Sequence, residues 1–358
     1  MATLTKTAVV ARKVIRYGLY ALFLIIVARY TLIVGGKLYR RFFPEPPPPP
    51  TGIAKLPAIP FPNVQIPNYE KLVFVLETPD GKLPNLPPQA KVYFLTKRTS
   101  NIKTLERANQ KARSLGYDPN GKEITETSYQ YQHPNLPCTL EMNIVTELFS
   151  MSCDLRDEKL SISNVVLTPD AAIKQVKAFL SRAQLLPADM SGPAVHEFIK
   201  MSEGKLVGAI SLSESEMIKV NLYRKDLETI PSVASRSDQS NLWFILSPLN
   251  TYGNVVIAGE YHYFPLDETR FDTYALKTAS EAWEDLKTGK GYIANLGQNN
   301  EGVLKIRRIY LAYYDPDVYT QYYQPVVVFE GDNNFVAYVP VITSLYYGSD
   351  QLTPTEEP

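Results

Sequence analysis

From Tyr17 to Gly36 the chain runs through 20 mostly apolar residues, with Leu19-Tyr-Ala-Leu-Phe-Leu-Ile-Ile-Val-Ala28 at the centre. As a helix this stretch covers roughly 30 Å, the thickness of a bilayer's hydrocarbon core. That predicts one transmembrane helix over residues 17–36 and a water-soluble remainder. No small-residue cleavage site follows, and the run is longer than a signal-peptide core, so it reads as a retained anchor. Arg29 is the one misfit, at about 2.5–3.5 kcal/mol if central. It lies past the midpoint and can snorkel beside Tyr30. Lys6, Arg12, Lys13 and Arg16 precede the span, and Lys37, Arg40 and Arg41 follow it. The basic excess at the N-terminal side predicts a cytoplasmic tail over 1–16 and an extracytoplasmic C-terminal part.

Pro44 to Pro67 holds ten prolines, including the run Pro46–Pro50. Consecutive prolines favour polyproline II, which has no internal hydrogen bonds and builds no core. Residues 37–68 are therefore expected to form a semi-rigid stalk. A role as an SH3 or WW ligand is the weaker reading, because those readers are cytoplasmic.

With Lys+Arg and Asp+Glu both at 37, the net charge is zero, which argues against nucleic acid as a partner. The three histidines (His133, His196, His262) are scattered, and the two cysteines form no C-x-x-C, so no metal site or cofactor is expected. Cys138 and Cys153 flank an apparent hairpin. A disulfide across it and two free buried thiols both fit.

Beyond the stalk a strand–helix–strands pattern recurs three times, predicting an α+β fold of helices on curled antiparallel sheets, with units over 69–160, 161–250 and 251–346 and a disordered tail over 347–358. The first unit has strands near 91–96, 127–131, 139–145 and 148–155 and a helix near 102–115, stopped by Gly116. The second has strands near 163–167, 195–202, 206–212, 218–224 and 241–246. Its helix starts at Thr168-Pro169-Asp170, with a capping hydroxyl, proline at the first helical position and an acid on the dipole, and ends by Pro187. In the third, a strand over 255–264 precedes the capping box Thr278-Ala-Ser-Glu281. Ala279, Ala282, Trp283 and Leu286 make that helix's apolar face, which predicts a buried Trp283. Strands near 304–314, 325–330 and 335–341 close the unit around the polar turn Gly331-Asp-Asn-Asn334.

The helix ending Leu286-Lys-Thr-Gly289, the strand Ile309-Tyr-Leu-Ala-Tyr-Tyr314, the segment Gln324-Pro-Val-Val-Val-Phe-Glu-Gly331 and Phe335-Val-Ala-Tyr-Val339 together resemble the C-terminal region of YycH/YycI-like regulatory proteins, and more loosely PepSY-type domains. The resemblance covers roughly residues 254–345. It implies a single-pass anchor carrying a non-catalytic, extracytoplasmic regulatory or sensor-like domain, with a membrane kinase, a peptidase or another envelope protein as partner.

One catalytic pattern competes. Ser100-Asn-Ile-Lys103 fits S-x-x-K, Ser237-Asp-Gln239 nearly fits S-D-N, and Lys287-Thr-Gly289 fits K-T-G, the triplet of serine acyl-transfer enzymes of penicillin-binding type. That reading fails on context, since K-T-G belongs on a strand and here it ends a helix. His262 lies in a tyrosine-rich strand and is expected to be exposed there rather than to act as a base. No catalytic residue is expected. Tyr319, Tyr322 and Tyr323 follow Asp315-Pro316-Asp317, which suggests a loop, and are the candidate binding residues. A recognition or regulatory domain is the resulting expectation, with a structural role in envelope assembly as the alternative.

Overall fold

The computed structural model describes residues 3–42, 49–52, 54–63, 69–163, 167–299 and 302–348. It divides into two units, 1–49 and 50–358. The first holds α1 (Thr3–Phe42), in which Arg16–Gly35 is long and apolar enough to cross a membrane. Length and composition alone carry that statement, and a signal sequence has the same properties. The side chains of residues 16–35, among them Phe23 and Leu24, are exposed.

In chain order the second unit contains β1 (Leu72–Leu76), β2 (Gln89–Leu95), α2 (Thr104–Ser114), β3 (Lys122–Glu123), β4 (Ser128–Gln132), β5 (Cys138–Asn143), β6 (Phe149–Cys153) and α3 (Pro169–Arg182). Then come β7 (Ala194–Ser202), β8 (Lys205–Gly208), β9 (Met217–Leu222), β10 (Ser232–Ala234), β11 (Leu242–Leu249), β12 (Gly253–Tyr261) and β13 (Leu266–Ala275). The last elements are α4 (Ala279–Lys287), β14 (Tyr292–Asn295), β15 (Gly302–Asp315), β16 (Tyr322–Tyr323), β17 (Pro325–Gly331) and β18 (Val336–Pro340).

The fold is mixed α and β. Among the described residues, nine strands form an antiparallel sheet in the order β3-β4-β5-β6-β12-β11-β9-β7-β8. Its inner face carries Leu140, Met151, Val220, Phe244 and Leu246, onto which α2 packs Ala108 and Ala112, and α3 packs Ala172, Val176, Phe179 and Leu180. These spacings of three and four residues line up one helical stripe, so each helix buries the face its sequence marks as apolar. A six-stranded sheet has the path β1-β15-β17-β18-β14, with β10 also on β15. It is covered by Ala282 and Leu286 of α4. A three-stranded sheet, β13-β2-β16, completes the unit.

The sheets cross the boundaries expected at residues 160 and 250. The nine-stranded sheet draws strands from all three expected units, and β1 pairs in parallel with β15, more than 200 residues away. Of the residues expected as a strand over 163–167, 164–166 lie outside the described residues, and Ile162 makes only a single bridge to Leu249. Thr168 occupies the N-cap of α3 without a side-chain capping bond, and the helix ends at Arg182, before Pro187, with Gln184 in the left-handed region.

The expected stalk needs a larger correction. Residues 54–63, with Thr51 and Gly52, lie against the domain: Gly52, Leu56 and Ile59 are buried and Phe61 is half-buried. Prolines preclude a strand ladder but not burial. Here they alternate with apolar residues that an extended chain can insert into a groove. The expected tail is docked at its start, where Tyr347 bridges Leu56; residues 349–358 lie outside the described residues.

Cys138 and Cys153 sit directly opposite each other on β5 and β6 and form a disulfide, settling what their spacing left open.

Candidate functional site

The three tyrosines do not share one loop. Tyr322 and Tyr323 form β16, paired with Phe94 and Tyr93 of β2. Adjacent strand residues point to opposite faces, so the pair divides. Tyr323 turns inward, is 0% exposed, stacks on Tyr313 and donates to Ser232 Oγ at 2.7 Å. It cannot present a surface. Tyr322 turns the other way and packs its ring 5.2 Å from that of Phe94. Tyr319 remains in the connection before β16, is 37% exposed and sets its ring edge-on to Phe264.

Tyr322 belongs to a small aromatic and cationic patch that motif reading had not found. Phe94, Tyr322 and Asp267 occupy one face of the three-stranded sheet by register. The pairing of β13 slips between Asp267 and Phe271. Within that bulge the Asp267 carboxylate accepts from the N–H of Thr269 at 3.0 Å and from its hydroxyl at 2.7 Å. These bonds hold Asp267 ionised, below the usual carboxylate range. The bulge throws Arg270 back across the sheet, its guanidinium 4.2 Å from the Phe94 ring centroid. Arg270 is exposed and forms no ion pair among the described residues. At the same end of β2, Lys97 lies 5.8 Å from the Tyr319 ring. The result is a tilted aromatic pair under a guanidinium that the Asp267 charge offsets only through space, leaving its N–H donors suited to a carboxylate-bearing partner.

Trp283 is half-buried rather than buried. Its ring touches Phe329 and Phe74, while its outer edge lies beside Lys287. The capping box is formed as the sequence predicts: Thr278 Oγ1 accepts from the Glu281 N–H at 3.2 Å, and the Glu281 carboxylate accepts from the Thr278 N–H at 2.7 Å. Lys287 ends α4, Thr288 caps it, and Gly289 takes φ +79°, so the K-T-G triplet is a helix terminus. Ser100 and Lys103 are both exposed ahead of α2. His262, just past β12, is half-buried rather than exposed and is tied by its backbone N–H to the Asn241 carbonyl.

The most buried charge cluster is a different feature. Arg224, 2% exposed, donates to Asp315 at 3.0 Å, to Asp189 and to the Phe264 carbonyl, and lies 4.5 Å over the Tyr263 ring. Burial pushes the Asp315 carboxyl up, and Arg224 offsets part of this. The adjoining void is about 10 Å³, at the lower limit for one water, so the cluster is a structural junction rather than a substrate pocket. A wider cleft of about 790 Å³ opens between residues 155–163 and 213–216, lined by Asp157, Glu158, Glu214 and Glu216. No group of three or more metal-ligating side chains is gathered among the described residues.

No family model and no curated protein matches the chain. Among solved structures, the chain is similar to an uncharacterized protein from Eubacterium rectale, whose crystal structure was determined at 1.45 Å resolution. The identity is 12%, the match covers 75% of this chain and 87% of that one, and the TM-score is 0.34, a likeness too slight to carry an argument about fold or function.

Proposed function

We propose that the chain is a membrane-tethered, extracytoplasmic binding or regulatory protein that works by engaging another envelope protein and not by catalysis. The observation that carries the placement is the Cys138–Cys153 disulfide in a domain that follows an apolar 20-residue helix. Disulfides persist in oxidising compartments, and a domain beyond a membrane span reaches one when it is exported. The charge asymmetry around the helix supports the same orientation, as does the resemblance of residues 254–345 to YycH/YycI-like regulators. Engagement is assigned to the patch of Phe94, Arg270, Tyr322 and Tyr319, where a stacked guanidinium offers its donors to solvent.

Topology is tested first. Protease added to intact spheroplasts should digest the domain, and alkaline carbonate should leave the full-length chain in the membrane. Protection of the domain until lysis would reverse the orientation, and a mature chain lacking residues 1–42 would make the helix a cleaved leader. Engagement is tested by placing a photo-crosslinking residue at position 270 or 322, with Glu141, exposed on the nine-stranded sheet, as the control position. One discrete adduct from the patch alone supports recognition. Equal adducts from both positions favour the alternative, a structural role in envelope assembly.

A further inference from the structure

The segment expected to be a free spacer occupies a groove that is built to hold it. Gly52 donates to the Thr273 carbonyl at 2.8 Å, and the Thr51 and Thr273 hydroxyls lie 3.0 Å apart. A Cβ at Gly52 would stand 2.4 Å from the Tyr274 ring, so only glycine passes there. Leu56 donates to the Tyr346 carbonyl at 2.7 Å and accepts from the Gly348 N–H at 3.2 Å. Gln324, its side chain buried, aims its amide at the Pro57 carbonyl at 2.9 Å. Phe61 stacks on Tyr292 at 4.9 Å and meets Tyr314 edge-on at 4.8 Å. Aromatic walls, a buried amide on a backbone carbonyl and a row of prolines are how peptide-recognition grooves hold polyproline II ligands.

Detachment is also built in. Pro57, Pro60 and Pro62 carry no N–H, and among the described residues the backbone-to-backbone bonds to the groove are confined to Gly52 and Leu56, joined by side-chain bonds at Thr51, Ala54 and Pro57, so the segment can leave without breaking any sheet. Prolines keep the released chain extended, which lowers the ordering cost of redocking.

We propose that this groove is a binding site for an extended proline-rich chain, and that its resident ligand is the chain's own residues 51–62, held reversibly. The consequence of release rests on the tethered reading above. Residues 50–63 then join the tether and add up to about 40 Å of reach at ~3.1 Å per residue.

The test uses the full-length protein in 3:1 phosphatidylcholine–phosphatidylglycerol vesicles. Amide deuterium exchange at Gly52 and Leu56 should run at least ~100-fold faster than at Val327 and Val328 in β17, because the segment opens alone. Oxidised Thr51→Cys/Thr273→Cys should suppress that exchange. Gly52→Ala or Leu56→Asp should raise it ~10-fold or more and leave β17 unchanged, while energy transfer between labelled lipid and a labelled domain falls. A synthetic peptide of residues 50–63 should restore protection at the Thr273 and Gly348 amides, which donate to Thr51 Oγ1 and to the Leu56 carbonyl, in Leu56→Asp, and the same peptide with aspartate at position 56 should not. Exchange of Gly52 and Leu56 at the β17 rate, or no effect of the peptide, overturns the proposal. Equal energy transfer from locked and released variants overturns the added reach. Failure to float with vesicles, with fast local exchange intact, sinks the tether reading and leaves the groove assignment standing.

Discussion

Arg224 Nε donates to Asp315 Oδ1 at 3.0 Å and so joins the segment just past β9 of the nine-stranded sheet to the last residue of β15 in the six-stranded sheet. The same guanidinium reaches Asp189, whose other carboxylate oxygen accepts from the Tyr263 hydroxyl at 2.9 Å. Asp315 also holds Asn241 through its backbone carbonyl at 2.8 Å. Five residues distant in sequence thus meet at one buried charge, and the two large sheets are fixed to each other by hydrogen bonds as well as by apolar packing.

Arg224→Met should therefore destabilise the domain by about 3–5 kcal/mol, because it strands two buried carboxylates. Urea denaturation followed by far-UV circular dichroism measures this. Arg224→Lys keeps the charge but loses the fork and should fall between wild type and Arg224→Met. A neutral Arg224→Met would show that the sheets hold together without the junction.

Reduction of Cys138–Cys153 should lower the denaturation free energy by about 3 kcal/mol, the loop-closure value for a cross-link of this span. The Cys138→Ser/Cys153→Ser variant should match the reduced wild type. Because Cys138 is buried and Cys153 half-buried, mild reductant should act more slowly on the folded domain than on the urea-unfolded chain. Instant reduction under native conditions would contradict that.

Asp285 gives the pH dependence a sign. Burial raises its carboxyl, but bonds from Lys277 at 2.8 Å and Lys290 at 3.0 Å outweigh this and leave it below the usual carboxylate range. A carboxyl with a depressed folded pKa stabilises above its unfolded pKa, and that share is lost as pH falls through the folded value. Asp285→Asn should remove its part of the acid limb of the stability–pH profile and leave the limb above neutrality unchanged. An unaltered acid limb in Asp285→Asn would refute the assignment.

Trp283→Ala should cost about 2 kcal/mol, less than Phe329→Ala at about 3–5 kcal/mol, because only part of the indole leaves water while Phe329 is fully buried. Thermal melts of the two variants rank them directly. Equal losses would mean that the outer edge of the indole is covered as well.

The legible features were the local ones. Thr278 and Glu281 lie three residues apart and satisfy each other, so their capping box stands in the sequence whatever surrounds it. The stripes of α2, α3 and α4 are equally local. The partner of β1 was hidden, since Leu72–Leu76 pairs with Gly302–Ile306 and nothing near either segment records it. Strand β13 was missed because Asp267-Glu-Thr-Arg270 has the polarity of a loop, yet it is the bulge that carries Arg270 to Phe94. Residues 51–62 were misread because proline content reports how a segment is shaped and not whether it is bound: Leu56 and Ile59 are what bury it.

Tyr322 and Tyr323 put these distinctions to a direct test. Tyr323→Ala removes a fully buried ring from the stack with Tyr313 and should cost about 3–5 kcal/mol. Tyr323→Phe keeps the ring and loses the 2.7 Å bond to Ser232, which predicts about 1 kcal/mol. Tyr319→Ala and Tyr322→Ala remove rings that are still partly wet, so each should cost less than Tyr323→Ala in the same denaturation assay. If the patch engages a partner, Tyr322→Ala and Arg270→Ala should abolish the crosslinked adduct while the domain stays folded, and Tyr323→Phe should leave it intact. Loss of the adduct in Tyr323→Phe as well, at unchanged stability, would move the contact surface to the other face of β16. Retention in Tyr322→Ala and Arg270→Ala would remove the patch from the function altogether.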